Sequence, residues 1–145
     1  MNLSIEQINE ILNDLWNFHL VLFGVALSIF TLLYSFILSK RDELKSISEQ
    51  VKIGDKSPML AQRESFAKKY IMRLKSANNH AALTILVTFI LFVFAWFTQR
   101  LIPDCNVQFK RISLYTISTL TVLIMLYSMF IFIKIYNQYK SETKI

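Results

Sequence analysis

The run at residues 15–39, LWNFHLVLFGVALSIFTLLYSFILS, decides the fold: 25 residues hold no Asp, Glu, Lys or Arg. A helix rises 1.5 Å per residue, so about 20 mainly apolar residues cross the roughly 30 Å hydrocarbon layer of a bilayer. Two further runs are free of charge over comparable lengths, residues 76–99 with 24 positions and 112–133 with 22. A soluble helical core is the competing reading, but such a core rarely keeps three runs of this length uncharged. The rest of the composition agrees: 54% of residues are hydrophobic, Phe occurs 12 times, and Gly and Pro only 2 times each. Little is left for loops or disorder. The expectation is an all-α, multi-pass membrane protein with three transmembrane helices.

Upstream of the first run stands MNLSIEQINEILND, which has no Lys or Arg and carries Glu6, Glu10 and Asp14. A cleavable secretory signal wants a positive start and a shorter apolar core. The segment therefore reads as a permanent helix, and Ser4 followed by Gln7 is a capping-box pattern for its start. Downstream, the basic residues are unevenly spread. None precedes the first run, ten lie between the first and second, three lie between the second and third, and three follow. The positive-inside rule then places residues 40–75 and the C-terminus in the cytoplasm, and the N-terminus outside. An odd number of crossings agrees with that N-out/C-in arrangement.

No strong breaker follows the first crossing until Gly54-Asp55-Lys56-Ser57-Pro58, where Gly54 reads as a helix stop and Ser57-Pro58 as a new start. Residues 4–53 and 58–101 are thus expected as two long helices that extend beyond the membrane as a cytoplasmic, coiled-coil-like hairpin. The layout along the chain is an outer amphipathic extension of the first helix (1–14), the first crossing (15–39) and the hairpin (40–75). The second crossing (76–99), an outer loop (100–111), the third crossing (112–133) and a cytoplasmic tail (134–145) complete it.

On the second arm, Leu60, Phe66, Ala67, Tyr70, Ile71, Leu74 and Ala77 share one side at helical spacing. Lys68, Lys69, Arg73 and Lys75 fall on the other, with Arg63 the exception. These five basic residues mark either a solvated face beside anionic lipid headgroups or a binding surface for a phosphate-bearing molecule. The chain has no Gly-rich phosphate loop and no RNA-binding aromatic motif.

The first crossing carries a second pattern. Glu6, Glu10, Asn13, Asp14, Asn17, Gly24, Ser28, Thr31, Ser35 and Ser39 fall within about 110° of the helical wheel. Val21 and Leu32 interrupt the stripe, and His19 lies opposite. Lipid does not solvate such a face, so it meets protein or water. Gly24-x-x-x-Ser28 would allow close helix packing. Alternatively, several copies surround an aqueous path, with Gly24, Ser28, Thr31 and Ser35 lining it and Glu10, Asp14 and Asn17 forming its outer mouth. Three helices cannot enclose a pore, so that reading requires a homo-oligomer.

Enzyme chemistry is not expected. The 2 histidines, His19 and His80, are assigned to opposite ends of crossings, and there is one cysteine, Cys105. No metal-ligand spacing, nucleophile elbow or cofactor motif appears.

In its short length, few long helices and basic cytoplasmic portion, the chain resembles the small membrane-embedded effectors of bacterial antiphage systems. That resemblance implies a homo-oligomer in the bacterial inner membrane that perturbs the bilayer. It also implies control by a nucleotide or oligonucleotide that a partner enzyme makes, bound at residues 63–75. Two rivals remain open. Small holins share three spans and the same topology, but usually lack a folded cytoplasmic loop of this length. The other rival is a non-conducting accessory subunit of a larger membrane complex.

Overall fold

In the computed structural model, which describes residues 3–52 and 58–142, the chain forms three helices: α1 (Ile5–Lys52), α2 (Pro58–Leu101) and α3 (Val107–Glu142). No strand occurs among the described residues. Each helix contains a window long and apolar enough to cross a membrane. The expected stop at Gly54 and start at Ser57 lie outside the described residues.

The start of α1 follows from its sequence. The Ser4 backbone N–H donates to Gln7 Oε1 at 3.0 Å and the Gln7 N–H donates to Ser4 Oγ at 3.2 Å. This reciprocal pair satisfies two amides that a helix N-terminus otherwise leaves open. Asn106 plays the same role for α3: its Oδ1 accepts from the Phe109 N–H at 3.4 Å. That cap starts α3 earlier than the sequence suggests. Lys110 and Arg111, expected in a loop, are helical instead.

The chain divides into two compact units, Met1–Ala26 with Leu83–Ile145, and Leu27–Ala82. In the first, Ile8, Leu12, Ala95, Leu114 and Ile117 form a buried cluster with Leu3, Leu15, Trp16 and Val107 packed against it. The small face of α2 turns inward here: Thr84, Thr88, Leu91, Ala95 and Thr98 are buried, while Phe89, Phe94, Trp96 and Phe97 are exposed. Small side chains allow the close helix approach that drives association where lipid removes the hydrophobic force. His19, fully buried, lies 2.9 Å from Thr121 Oγ1. The Thr121 hydroxyl donates to the Ile117 carbonyl at 2.7 Å. Its one hydrogen is thereby used, so Thr121 accepts from His19 Nε2–H, and Nδ1 has no partner among the described residues. Thr116 and Thr119 likewise donate to the carbonyls of Ile112 and Tyr115 at 2.9 and 2.8 Å. These three threonine hydroxyls of α3 thus satisfy themselves on their own helix, whereas the buried Ser128 hydroxyl has no partner among the described residues.

In the second unit, Ile47, Leu60 and Ala67 are buried at the apolar seam, and Tyr70, Ile71, Leu74 and Ala77 are partly buried. Phe66 departs from its expected side, being 66% exposed and stacked on Tyr70 with ring centroids 6.3 Å apart. The smaller Ala67, at 2%, takes the packed position.

Much apolar surface stays uncovered. Only 11, 28 and 17% of the most apolar window is buried in α1, α2 and α3 respectively. Val21, Leu32, Phe130 and Phe132 are each at least 60% exposed. Water would strongly disfavour so continuous an apolar surface, whereas a bilayer accommodates it. The architecture is that of a multi-pass membrane protein.

Candidate functional site

The polar stripe of α1 is turned away from the chain's own packing. Glu10, Asp14, Asn17 and Gly24 in the first unit are all exposed, as are Ser28, Thr31 and Ser35 in the second. The buried positions of α1 in the first unit are Ile8, Leu12, His19 and Ala26. At about 100° per residue the centre of the stripe lies roughly 170° from the centre of that buried face. A Cβ added at Gly24 would meet nothing within 4 Å. No other helix therefore packs closely on Gly24, and the side of α1 that carries Gly24 and Ser28 is exposed.

The stripe members differ in how much polarity they offer. The Thr31 hydroxyl donates to the Leu27 carbonyl at 2.9 Å. A hydroxyl satisfied by its own backbone is only mildly costly against hydrocarbon. Carboxylates and a primary amide have no such recourse, so Glu10, Asp14 and Asn17 demand water or a partner. Asn13, also assigned to the stripe from sequence, is partly buried instead: its Oδ1 accepts from Trp16 Nε1 at 3.2 Å and Gln99 Nε2 at 3.4 Å.

The basic residues of α2 are all exposed: Arg63, Lys68, Lys69, Arg73 and Lys75. They are not equivalent. Lys68 pairs with Glu64 at 2.6 Å, and Arg63 lies 4.0 Å from Glu43. Glu43 also receives Lys40 at 2.5 Å; that hydrogen bond and charge, with the charge of Arg63, hold its carboxyl below the usual range. The Lys40 ammonium further sits 5.7 Å from the Tyr70 ring centroid. Carboxylates thus neutralise part of the basic set internally. Lys69 and Lys75 form no ion pair among the described residues, and carry the field available to an outside anion.

A third polar group was not legible in the sequence. Lys110, only 1% exposed, directs its ammonium to Asp104 Oδ1 at 2.7 Å, Asn9 Oδ1 at 2.9 Å and the Gln99 carbonyl at 3.5 Å. Its three N–H groups have three acceptors, which is what a buried ammonium requires. Asn9 Nδ2 donates to Asp104 Oδ1 at 3.3 Å, Gln99 Nε2 donates to the Asn9 carbonyl at 3.2 Å, and Arg111 donates to the Leu3 carbonyl at 3.5 Å. This knot ties α1, the end of α2 and the start of α3 together. The sequence offered only one signal for it, several amides and charges at the water-facing ends of the crossings.

The knot has a pH signature. The Lys110 hydrogen bond, then that of Asn9, then the Lys110 charge hold the Asp104 carboxyl below the usual carboxylate range. A lowered folded value means the linked stabilisation is present above the unfolded value, about pH 4, and is lost as pH falls through the folded one. Thermal midpoints in detergent micelles should therefore fall more steeply below about pH 4 for the native chain than for Asp104→Asn. Parallel curves would show that the pair does not contribute.

The chain matches no protein-family model, no curated protein and no solved structure.

Proposed function

We propose that the chain is a homo-oligomeric ion channel or membrane-permeabilising effector, with α1 lining the pore. Its N-terminus is outside, its C-terminus is in the cytoplasm, and α1 and α2 extend beyond the membrane as a cytoplasmic hairpin. An anionic ligand, a nucleotide or oligonucleotide supplied by a partner enzyme, acts on the basic surface of that hairpin. The observation that carries this reading is the exposed α1 stripe opposite the buried face. Within the crossing Asn17 is poorly matched to hydrocarbon, the carboxylates of the outer extension stand in line with it, and none of them is covered by the chain's own helices. One unbroken helix, Ile5–Lys52, carries both the acidic outer members and the hydroxyl-bearing ones. Acidic rings at the outer mouth favour cations.

The test is planar-bilayer recording of the purified chain with and without added oligonucleotide. Discrete currents from a homo-oligomer support the proposal. Silence in a chain isolated only with a larger membrane protein supports an accessory subunit instead. The self-bonded Thr31 hydroxyl is the observation that keeps that rival in view, since it lets part of the stripe face a dry neighbour.

The ligand site gives a separate expectation. Lys69→Glu together with Lys75→Glu should weaken binding of a nucleoside triphosphate probe about tenfold at 0.15 M salt, because two unpaired cations become repulsive. Lys68→Gln, which removes a cation already paired with Glu64, should cost less than about threefold. Fluorescence titration reads both, and equal effects would reject the division of the basic set.

A further inference from the structure

Where α2 ends, Asn9, Gln99, Arg100, Ile102, Pro103 and Asp104 line a pocket of about 450 Å³. It adjoins the Lys110 knot but offers groups that the knot does not use. Gln99 Oε1 is buried and receives no hydrogen bond among the described residues. On Asp104, Oδ1 accepts from both Lys110 and Asn9, while Oδ2 accepts from no described donor. Arg100 is exposed at the pocket wall. The pocket wall therefore holds two acceptor oxygens without a described donor, one buried on Gln99 and one on the Asp104 carboxylate, and Arg100 lines the same pocket. Lys110 adds no donor, because its three N–H groups are already assigned.

A matching ligand carries an anionic group for the guanidinium and an N–H-bearing cation for the oxygens. Position narrows the source. Arg100 follows directly on the charge-free run 76–99, so the pocket lies where α2 leaves the hydrocarbon. The solutes concentrated at that depth are phospholipid headgroups. We propose that the pocket holds the headgroup of an aminophospholipid of the phosphoethanolamine type. Its phosphodiester pairs with Arg100 and its primary ammonium donates to Gln99 Oε1 and Asp104 Oδ2. Guanidinium and carboxylate match the two charges of the zwitterion. A choline headgroup has no N–H to give these oxygens, a glycerol headgroup has no cation for Asp104, and a serine headgroup would bring a second carboxylate beside it. The inference rests on the membrane-spanning character of the helices and is independent of whether α1 conducts ions.

Native mass spectrometry of the full-length protein, delipidated and then offered equal amounts of phosphatidylethanolamine, phosphatidylcholine and phosphatidylglycerol, tests it. The ethanolamine lipid should be retained about tenfold over the choline lipid, and above the glycerol lipid. Arg100→Gln should bring the ethanolamine lipid down to the choline level with the oligomeric state and thermal midpoint unchanged, and Arg100→Lys should recover part of the preference. Arg100 is the position to vary because, unlike Asp104, it lies outside the contacts of Lys110. Soluble O-phosphoethanolamine should displace the lipid only at far higher concentration. Equal retention of the ethanolamine and choline lipids overturns the proposal. So does retention of the glycerol lipid at or above the ethanolamine lipid, an Arg100→Gln protein with native selectivity, failure to retain any added phospholipid, or displacement by the soluble amine at concentrations comparable to the lipid's own.

Discussion

Replacing Lys110 by Ala is expected to destabilise the folded chain by about 2–4 kcal/mol. Two losses combine. The aliphatic stem of a side chain that is 1% exposed leaves a void, and deletion of a buried chain of that length is the kind of change that costs a few kcal/mol. The acceptors Asn9 Oδ1 and Gln99 O lose their donor, and unsatisfied buried groups cost about 1–3 kcal/mol each when water cannot reach them. Partial access of water to Asn9 keeps the total below the sum. Lys110→Met retains the stem, so it should cost roughly half as much. Unfolding in mixed micelles, followed by a distance probe between α1 and α3, reads the difference. A loss for Lys110→Ala under about 0.5 kcal/mol, typical of an ordinary surface change, would show that the knot does not hold the helices together.

The second large effect concerns the proposed conduit. Ser28→Leu should lower single-channel conductance at least about tenfold, equivalent to about 1.4 kcal/mol of added barrier, while leaving the oligomer intact. The substitution exchanges a small hydroxyl for a branched apolar chain at a position that faces away from the protomer's packing. A ring of such side chains narrows and dewets a pore. Glu10→Lys, farther out on the same face, should act on selectivity: a carboxylate ring that attracts cations becomes an ammonium ring that repels them. The reversal potential in a salt gradient reports this directly. Phe132→Leu, on a residue 70% exposed in α3, serves as the lipid-facing control and should leave both quantities unchanged. Native currents in both stripe variants would remove α1 from the pore wall.

These two predictions draw on different levels of the molecule. The stripe is a local property. Glu10, Asp14, Asn17, Gly24, Ser28, Thr31 and Ser35 share a face because the helix period puts them there, and a reader of the sequence finds them without coordinates. The structure adds that this face is opposite the buried one. The knot is not local. Asn9 and Asp104 are 95 residues apart, and Asn9 and Lys110 are 101 apart. Read along the chain, Lys110 is one of three basic residues between the second and third charge-free runs, with no mark that it is buried. Likewise Arg63 and Lys68 look like Lys69 and Lys75 until Glu43 and Glu64 are seen beside two of them.

The sequence by itself determined the helical class, the three candidate spans and the caps at Ser4. Length, absence of charge and i-to-i+3 capping all act within one segment, and hydrocarbon leaves a backbone few alternatives to the helix. Only the tertiary structure decided which side of α1 is buried, that His19 joins Thr121, and that Lys110 lies under Asp104. Those outcomes depend on the rotation and register of one helix against another, which short-range packing and paired polar groups select and which no single segment encodes.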